Sequence, residues 1–149
     1  MVHHHAADIT SRALALWGQP LPGGPAALEA FRSLYADPVP VNGAPTDLDV
    51  LVARARMLQD ALSDLHHEVH EIVTTPGRRS FAFTITGRHT GPLTTPIGEV
   101  AGSGAAVAVT GLDMFIVDED ADRVTAIWAV ADWLALLVQT GAIGDLSRR

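Results

Sequence analysis

Apolar residues recur at helical spacing in three segments of the first half of the chain. The first two cover residues 8–17 and 26–35, and a run of prolines and glycines separates them. The third follows Thr46 or Asp47, either of which is a good N-cap, and continues through Leu62. The spacing therefore predicts three helices before any long strand.

The second half of the chain alternates apolar and polar residues and is rich in β-branched types. Alternation predicts four strands, and helical spacing predicts one short helix after them. The strands are residues 65–74, 80–89, 105–117 and 123–131, and the helix is 133–140. Residues 90–104 are predicted to be a loop. Helices grouped before strands favour an α+β fold, in which a curved, mostly antiparallel sheet packs on the helices as a cone.

Asp132 stands at the start of the last predicted helix, among apolar neighbours. Alternation along the preceding strand places Val124, Trp128 and Asp132 on one face, so the carboxylate shares a surface with an indole. Burial of an unpaired carboxylate is costly or raises its pKa, so the residue needs a partner, solvent or a chemical role. Asp132 is therefore either the N-cap of the helix or an acid/base group, and position alone leaves both open.

The composition limits the chain to one globular domain, predicted at residues 8–146. It has 149 residues, of which 48% are hydrophobic, enough for one core. The net charge of −7 and the lack of basic clusters argue against a nucleic-acid partner. Cysteine is absent and no apolar run is long enough for a membrane span, so we expect a soluble, cytoplasmic protein. Residues 1–7, which include three histidines, are expected to be a disordered terminus or a tag remnant.

Metal and cofactor sites are not predicted. His66, His67 and His70 lie close in sequence, but they lack the H-E-x-x-H spacing of a helical zinc site. On a strand, His66 and His70 share one face and His67 lies on the other. The segment GSGAAV lacks the third glycine of a dinucleotide loop, and no G-x-S-x-G motif is present. His89, in GRHTG, lies between glycines that allow a tight turn, and it is predicted either to close a pocket or to lie in an exposed loop.

Three segments, in their order along the chain, resemble the SnoaL-like polyketide cyclase family of the NTF2-like superfamily. They are DLHHEVHEIV, GRHTGPL and GLDMFIVDEDADRVTAIWAVADWLALLVQTGAI. The resemblance covers about residues 26–143. It implies an α+β cone around an apolar cavity, a small polyketide-like substrate, and a cofactor-free intramolecular aldol cyclisation.

The resemblance also implies site residues. Asp132 matches the acid/base aspartate of the family, His89 matches its G-x-H-x-G strand end, and His66 and Trp128 match two further motif positions. Tyr35 or Asn42, like His89, would donate a hydrogen bond to the enolate oxygen. The remaining predicted substrate contacts are Phe83, Asp113 and Phe115.

Other functions remain open on the same fold. Ring closure by cycloaddition needs mainly shape and one polarising donor. An isomerase or epoxide hydrolase would use a second carboxylate, for which Asp113 is the strand-borne candidate. A non-catalytic ligand-binding module is the third possibility, since fold does not fix function. The outer strand positions Ala106, Ala108, Leu112, Met114 and Ile116 are apolar, which predicts a homodimer through this face.

Overall fold

The computed structural model describes residues 8–144. The helices are α1 (Ile9–Gly18), α2 (Pro25–Arg32), α3 (Leu48–Ala61) and α4 (Trp133–Gln139). The strands are β1 (Val39–Val41), β2 (Ala44–Thr46), β3 (Leu62–Thr75), β4 (Arg78–His89), β5 (Leu93–Thr95), β6 (Gly98–Val100), β7 (Ala106–Asp118) and β8 (Arg123–Ala131). The predicted terminal segment 1–7 and the last two residues of the predicted domain lie outside the described part.

Six strands form one sheet in the order β2-β1-β8-β7-β4-β3, and β5 pairs with β6 separately. Neighbouring strands of the large sheet are antiparallel except β1 and β8, which run parallel where Val41 meets Ile127. Helices α1 to α3 cover one face of this sheet, and their apolar side chains share a core with it. The predicted α+β cone is confirmed.

Two predicted helix ends are wrong. Helix α3 ends at Ala61, because Leu62 adopts an extended backbone and pairs with His89 as the start of β3. Helix α2 ends at Arg32, and the chain then runs alongside β8. There the Val124 N–H donates to the Leu34 carbonyl at 2.8 Å. In both places, pairing with the sheet outcompetes continuation of the helix.

Two short hairpins lie in segments that were not predicted as strands. Asn42 and Gly43 both have positive φ, 51° and 83°, and they form the two-residue turn between β1 and β2. An Asn-Gly pair favours a turn of this kind. The predicted loop 90–104 contains the β5–β6 hairpin, which is a correction. Leu93 of β5 is buried in a second apolar cluster with residues of α4 and β7, and this burial holds the hairpin against the body of the protein.

A β-bulge in β8 changes which residues face the core. Val117 pairs with Val124 whereas Ile116 pairs with Ala126, so Thr125 is an extra residue on β8. Because side chains alternate between faces, one extra residue reverses the alternation beyond it. Val124 and Ile127 are buried, whereas Trp128 is 49% exposed. The prediction that Val124 and Trp128 share a face is therefore wrong.

Candidate active site

An apolar cavity of about 490 Å³ lies between the helices and the inner face of the large sheet. Aromatic and aliphatic side chains make up most of its walls. Among them are Leu14, Trp17, Leu51, Met57, Leu58, Phe81, Phe83, Ile85, Val109, Phe115, Ile127, Trp133 and Leu136. The β5–β6 hairpin contributes Leu93 to Pro96 to the same lining. A concave, mostly apolar site with few polar groups is typical of small-molecule binding.

Asp113 is the only acidic residue among the described residues that line this cavity. It lies in the middle of β7, and its cross-strand neighbours are Phe81 and Ala129, which also line the cavity. Within residues 8–144, no side chain or backbone N–H donates a hydrogen bond to its carboxylate. Burial raises the pKa of the Asp113 carboxyl to about 7. An unpartnered carboxyl with this pKa can both accept and donate a proton near neutral pH.

His67 lines the cavity, whereas the predicted substrate contact His66 is exposed on the opposite face of β3. The His67 ring lies beside Phe83, with ring centroids 6.0 Å apart. Burial and, to a smaller extent, the charge of His66 lower the His67 pKa, so the imidazole is neutral near pH 7. A Cβ at Gly18 would lie 2.9 Å from His67 Nδ1, so the end of α1 needs a glycine to accommodate this ring. Alternation separated the two histidines but did not indicate which one faces inward.

Tyr35 is fully buried next to the cavity but is not part of its lining. Trp17 Nε1, which belongs to a lining residue, donates a hydrogen bond to the Tyr35 hydroxyl at 3.1 Å. Burial raises the Tyr35 pKa well above its ordinary value; the Trp17 hydrogen bond opposes this rise, and the charge of Asp113 adds to it. Tyr35 therefore stays protonated and orients Trp17. Because Trp17 lines the cavity and Tyr35 lies behind it, the structure favours a supporting role for Tyr35 over the predicted contact with the substrate.

Asn42 lies at the exposed edge of the cavity, but its amide is fully engaged with the backbone of β8. Asn42 Nδ2 donates to the Ala129 carbonyl at 2.9 Å, and the Ala129 N–H donates to Asn42 Oδ1 at 2.8 Å. This pair of hydrogen bonds continues the pairing of β1 with β8. The structure thus favours a structural role for Asn42 over the predicted enolate donor.

Asp132 is the N-cap of α4, and its Oδ1 accepts a hydrogen bond from the Ala135 N–H at 3.0 Å. The residue is exposed and is not part of the cavity lining, although its neighbours Ala131 and Trp133 are. The capping alternative of the sequence analysis is therefore observed. A catalytic role for Asp132 stays a prediction, with the carboxylate placed at the rim of the cavity.

His89 is fully buried and also lies outside the lining. Its Nδ1 accepts a hydrogen bond from the Ser103 N–H at 3.2 Å and lies 2.9 Å from the Ser103 hydroxyl. Nδ1 therefore carries no proton, and Nε2–H is buried without a partner among the described residues. Through these contacts the imidazole connects the end of β4 to Ser103, in the segment between β6 and β7.

Four further predictions have clear placements. Phe83, Asp113 and Phe115 line the cavity, and substrate binding by them stays a prediction. Trp128 points away from the cavity, because the bulge at Thr125 puts it on the outer face of the sheet.

No three His, Asp or Glu side chains of residues 8–144 are arranged to hold a metal ion. No helix in this part of the chain is long and apolar enough to cross a membrane.

A curved sheet closed by helices around an apolar cavity defines a protein of the NTF2-like class. The model of the SnoaL-like polyketide cyclase family matches residues 24–140. Because this match covers most of the sequence, the chain belongs to the SnoaL-like polyketide cyclase family, which confirms the predicted resemblance. A search of curated proteins found no match.

Solved structures with the same fold include three from bacteria. TsrD from Streptomyces laurentii is 18% identical, with a TM-score of 0.73 over 91% of this chain and 93% of that chain. A SnoaL-like polyketide cyclase from Agrobacterium tumefaciens is 16% identical, with a TM-score of 0.67 over 90% and 98%. IdmH from Streptomyces antibioticus is 20% identical, with a TM-score of 0.66 over 91% and 99%. At identities this low, the structural similarity shows that the fold is shared and shows nothing more.

Proposed function

We propose that the protein is a cofactor-independent cyclase that closes a ring in a linear, apolar, polyketide-like substrate, with Asp113 as the acid/base group. The observation that carries this proposal is the unpartnered Asp113 carboxyl inside a cavity of about 490 Å³. Membership of the SnoaL-like family supports the reaction class. The apolar walls support the choice of an apolar substrate.

The proposed reaction is an intramolecular aldol addition. The Asp113 carboxylate removes a proton from a carbon next to a carbonyl, and the resulting enolate carbon forms a bond to a second carbonyl of the same molecule. The protonated Asp113 then returns the proton to the new alkoxide oxygen, so the product is an isomer of the substrate. The cavity holds both carbonyls in reach of each other, which removes much of the entropic barrier. Neutral His67 is the proposed hydrogen-bond donor to the enolate oxygen.

The family resemblance assigns the same chemistry to Asp132, with His89 as its partner, and this assignment is the alternative within the cyclase hypothesis. It requires the Asp132 carboxylate to leave the Ala135 N–H and turn inward from the rim. Asp113 requires no such movement, and this difference favours it. A test of both assignments is to incubate wild type, Asp113→Asn and Asp132→Asn with linear poly-β-ketone substrates and to analyse the products by mass spectrometry and NMR.

A hydrolase that uses paired carboxylates is less well supported. Asp113 is the carboxylate among the described lining residues, and the residues opposite it are apolar. A two-carboxylate mechanism would need Asp132 to move inward as well. A product heavier by one water would nevertheless identify hydrolysis, whereas an isomeric product that Asp113→Asn still forms would identify ring closure by shape, as in a cycloaddition.

We also propose that the outer face of the sheet pairs with a second copy of the chain. Leu112, Met114 and Trp128 are exposed there on adjacent strands, and Met114 lies directly opposite Trp128. A lysine at position 128 would place a charge in the centre of this patch. We therefore expect wild type to sediment as a dimer and Trp128→Lys as a monomer in analytical ultracentrifugation.

The matched control for the dimer is Leu134→Lys, because Leu134 is also apolar and exposed but lies on α4. This variant should remain dimeric. A monomeric wild type, or dissociation by both variants alike, would contradict pairing through the outer face.

A further inference from the structure

Arg54 is a cation at the opening of the apolar cavity. On α3, Leu51, Arg54 and Leu58 follow one another at helical spacing on the face that lines the cavity. Leu51 is buried, Leu58 is half-buried and Arg54 is exposed, so Arg54 lies where this wall of the cavity meets solvent. Thr94 and Pro96 of the β5–β6 hairpin are further exposed residues of the cavity lining.

Six of the other seven arginines within residues 8–144 donate side-chain hydrogen bonds; the seventh, Arg123, lies outside the cavity lining. Arg12 pairs with Asp122 at 2.7 Å, Arg79 pairs with Glu119 at 2.9 Å, and Arg56 donates to the Pro22 carbonyl at 2.7 Å. Arg54 makes no ion pair or side-chain hydrogen bond with residues 8–144. It is also the only arginine among the described residues that line the cavity. A guanidinium in this setting is available for a ligand.

We propose that Arg54 binds an anionic oxygen group, a carboxylate or a phosphate, at the outer end of an otherwise apolar substrate. The planar guanidinium matches both groups with paired, charge-assisted hydrogen bonds. The inference rests on the proposed function only in taking the cavity as the substrate site. Asp113 reinforces the orientation, because its negative charge in the interior repels an anion and leaves the opening as the favourable position.

This arrangement defines the class of substrate and its direction of entry. The apolar, carbonyl-bearing part enters first and reaches Asp113, while the anionic end stays at Arg54. A free carboxylic acid satisfies this requirement, and so does an acyl chain carried as a thioester on phosphopantetheine. The shared chemistry is one anionic oxygen group on an apolar chain, and binding measurements can separate the two sources.

The test compares matched probes by isothermal titration calorimetry at low ionic strength. The first pair is decanoate and methyl decanoate; the second is S-decanoyl-4′-phosphopantetheine and S-decanoyl-pantetheine. We expect wild type to bind the anionic member of at least one pair about tenfold more tightly than the neutral member. Arg54→Gln should bring that ratio close to one and leave the affinity for the neutral member unchanged. Arg123→Gln is the matched control, because Arg123 is exposed on β8 outside the lining, and it should keep the ratio.

The pair that shows the preference identifies the anion as a carboxylate or a carrier phosphate. A ratio near one in wild type for both pairs, a ratio that Arg54→Gln retains, or no binding of any of the four probes overturns the inference. The measurement does not depend on turnover. A charge preference here, together with no cyclic product from the poly-β-ketone substrates, would therefore count against the proposed cyclase and leave the role of Arg54 intact.

Discussion

Replacement of Asp113 by asparagine is expected to lower kcat for ring closure by about 10²- to 10⁴-fold, the usual contribution of a general acid/base group. The amide has nearly the shape of the carboxyl group, so the cavity and substrate binding should be preserved. The loss should therefore appear in kcat and leave KM within a few-fold of wild type. Initial rates of product formation over a range of substrate concentrations, followed by mass spectrometry, measure both parameters.

Asp132→Asn is the control for this experiment. Asparagine caps helices as well as aspartate does, so the contact with the Ala135 N–H and the start of α4 should survive. We expect near wild-type turnover from this variant. Loss of turnover in Asp132→Asn together with full activity in Asp113→Asn would contradict our assignment and support the one implied by the family resemblance.

The same group should set the pH dependence of the reaction. Because burial raises the pKa of Asp113 to about 7, its carboxylate form increases in population as the pH rises through that value. If the carboxylate is the base, kcat/KM rises with pH and levels off above about 7. The profile should be measured from about pH 5 to about pH 9, roughly two units on either side of that pKa. A value of kcat/KM that stays constant over this range would exclude Asp113 as the base.

The fold was largely predictable from the sequence because its signals are local and repeated. Helical spacing and alternation each extend over many residues, and the last strand was predicted with the bounds that β8 has, Arg123–Ala131. The helix ends were less predictable, since Leu62 is equally suited to a helix or a strand and only its pairing with His89 decides between them. The β5–β6 hairpin escaped prediction because each strand has three residues, too few for alternation to be visible.

The candidate site was only partly predictable. Asp113 and Phe115 were both predicted as substrate contacts and both line the cavity, but the sequence gives no sign of the bulge at Thr125, which turns Trp128 outward. The sequence therefore indicated Asp132 as the acid/base group, beside an indole that in fact lies on the outer face of the sheet. His67 was missed for a related reason, since a strand pattern does not tell which face the helices cover.

Asp113→Asn is also expected to stabilise the folded protein at high pH. The carboxyl has a pKa of about 7 when folded and an ordinary value of 3.8, so the folded state holds its proton more tightly than the unfolded state does. Between these two values the folded state carries one more proton, and stability falls as the pH rises; above about 7 the full penalty is present. A shift of this size corresponds to roughly 4 kcal/mol, and we expect about half, since water that enters the cavity solvates part of the carboxylate.

Chemical denaturation of wild type and Asp113→Asn at pH 5 and pH 8.5, chosen as roughly two units below and above the folded pKa, measures this effect. The variant should gain about 1.4 kcal/mol more over wild type at the higher pH than at the lower one, because part of the penalty is already present at pH 5. Asp132→Asn is the surface control, because Asp132 is exposed and caps α4 outside the cavity lining. A pH-independent difference for Asp113→Asn would mean that the carboxylate is well solvated and not poised for catalysis. A variant that is inactive yet more stable at high pH would show instead that the protein keeps a destabilising carboxyl group in its cavity for chemistry.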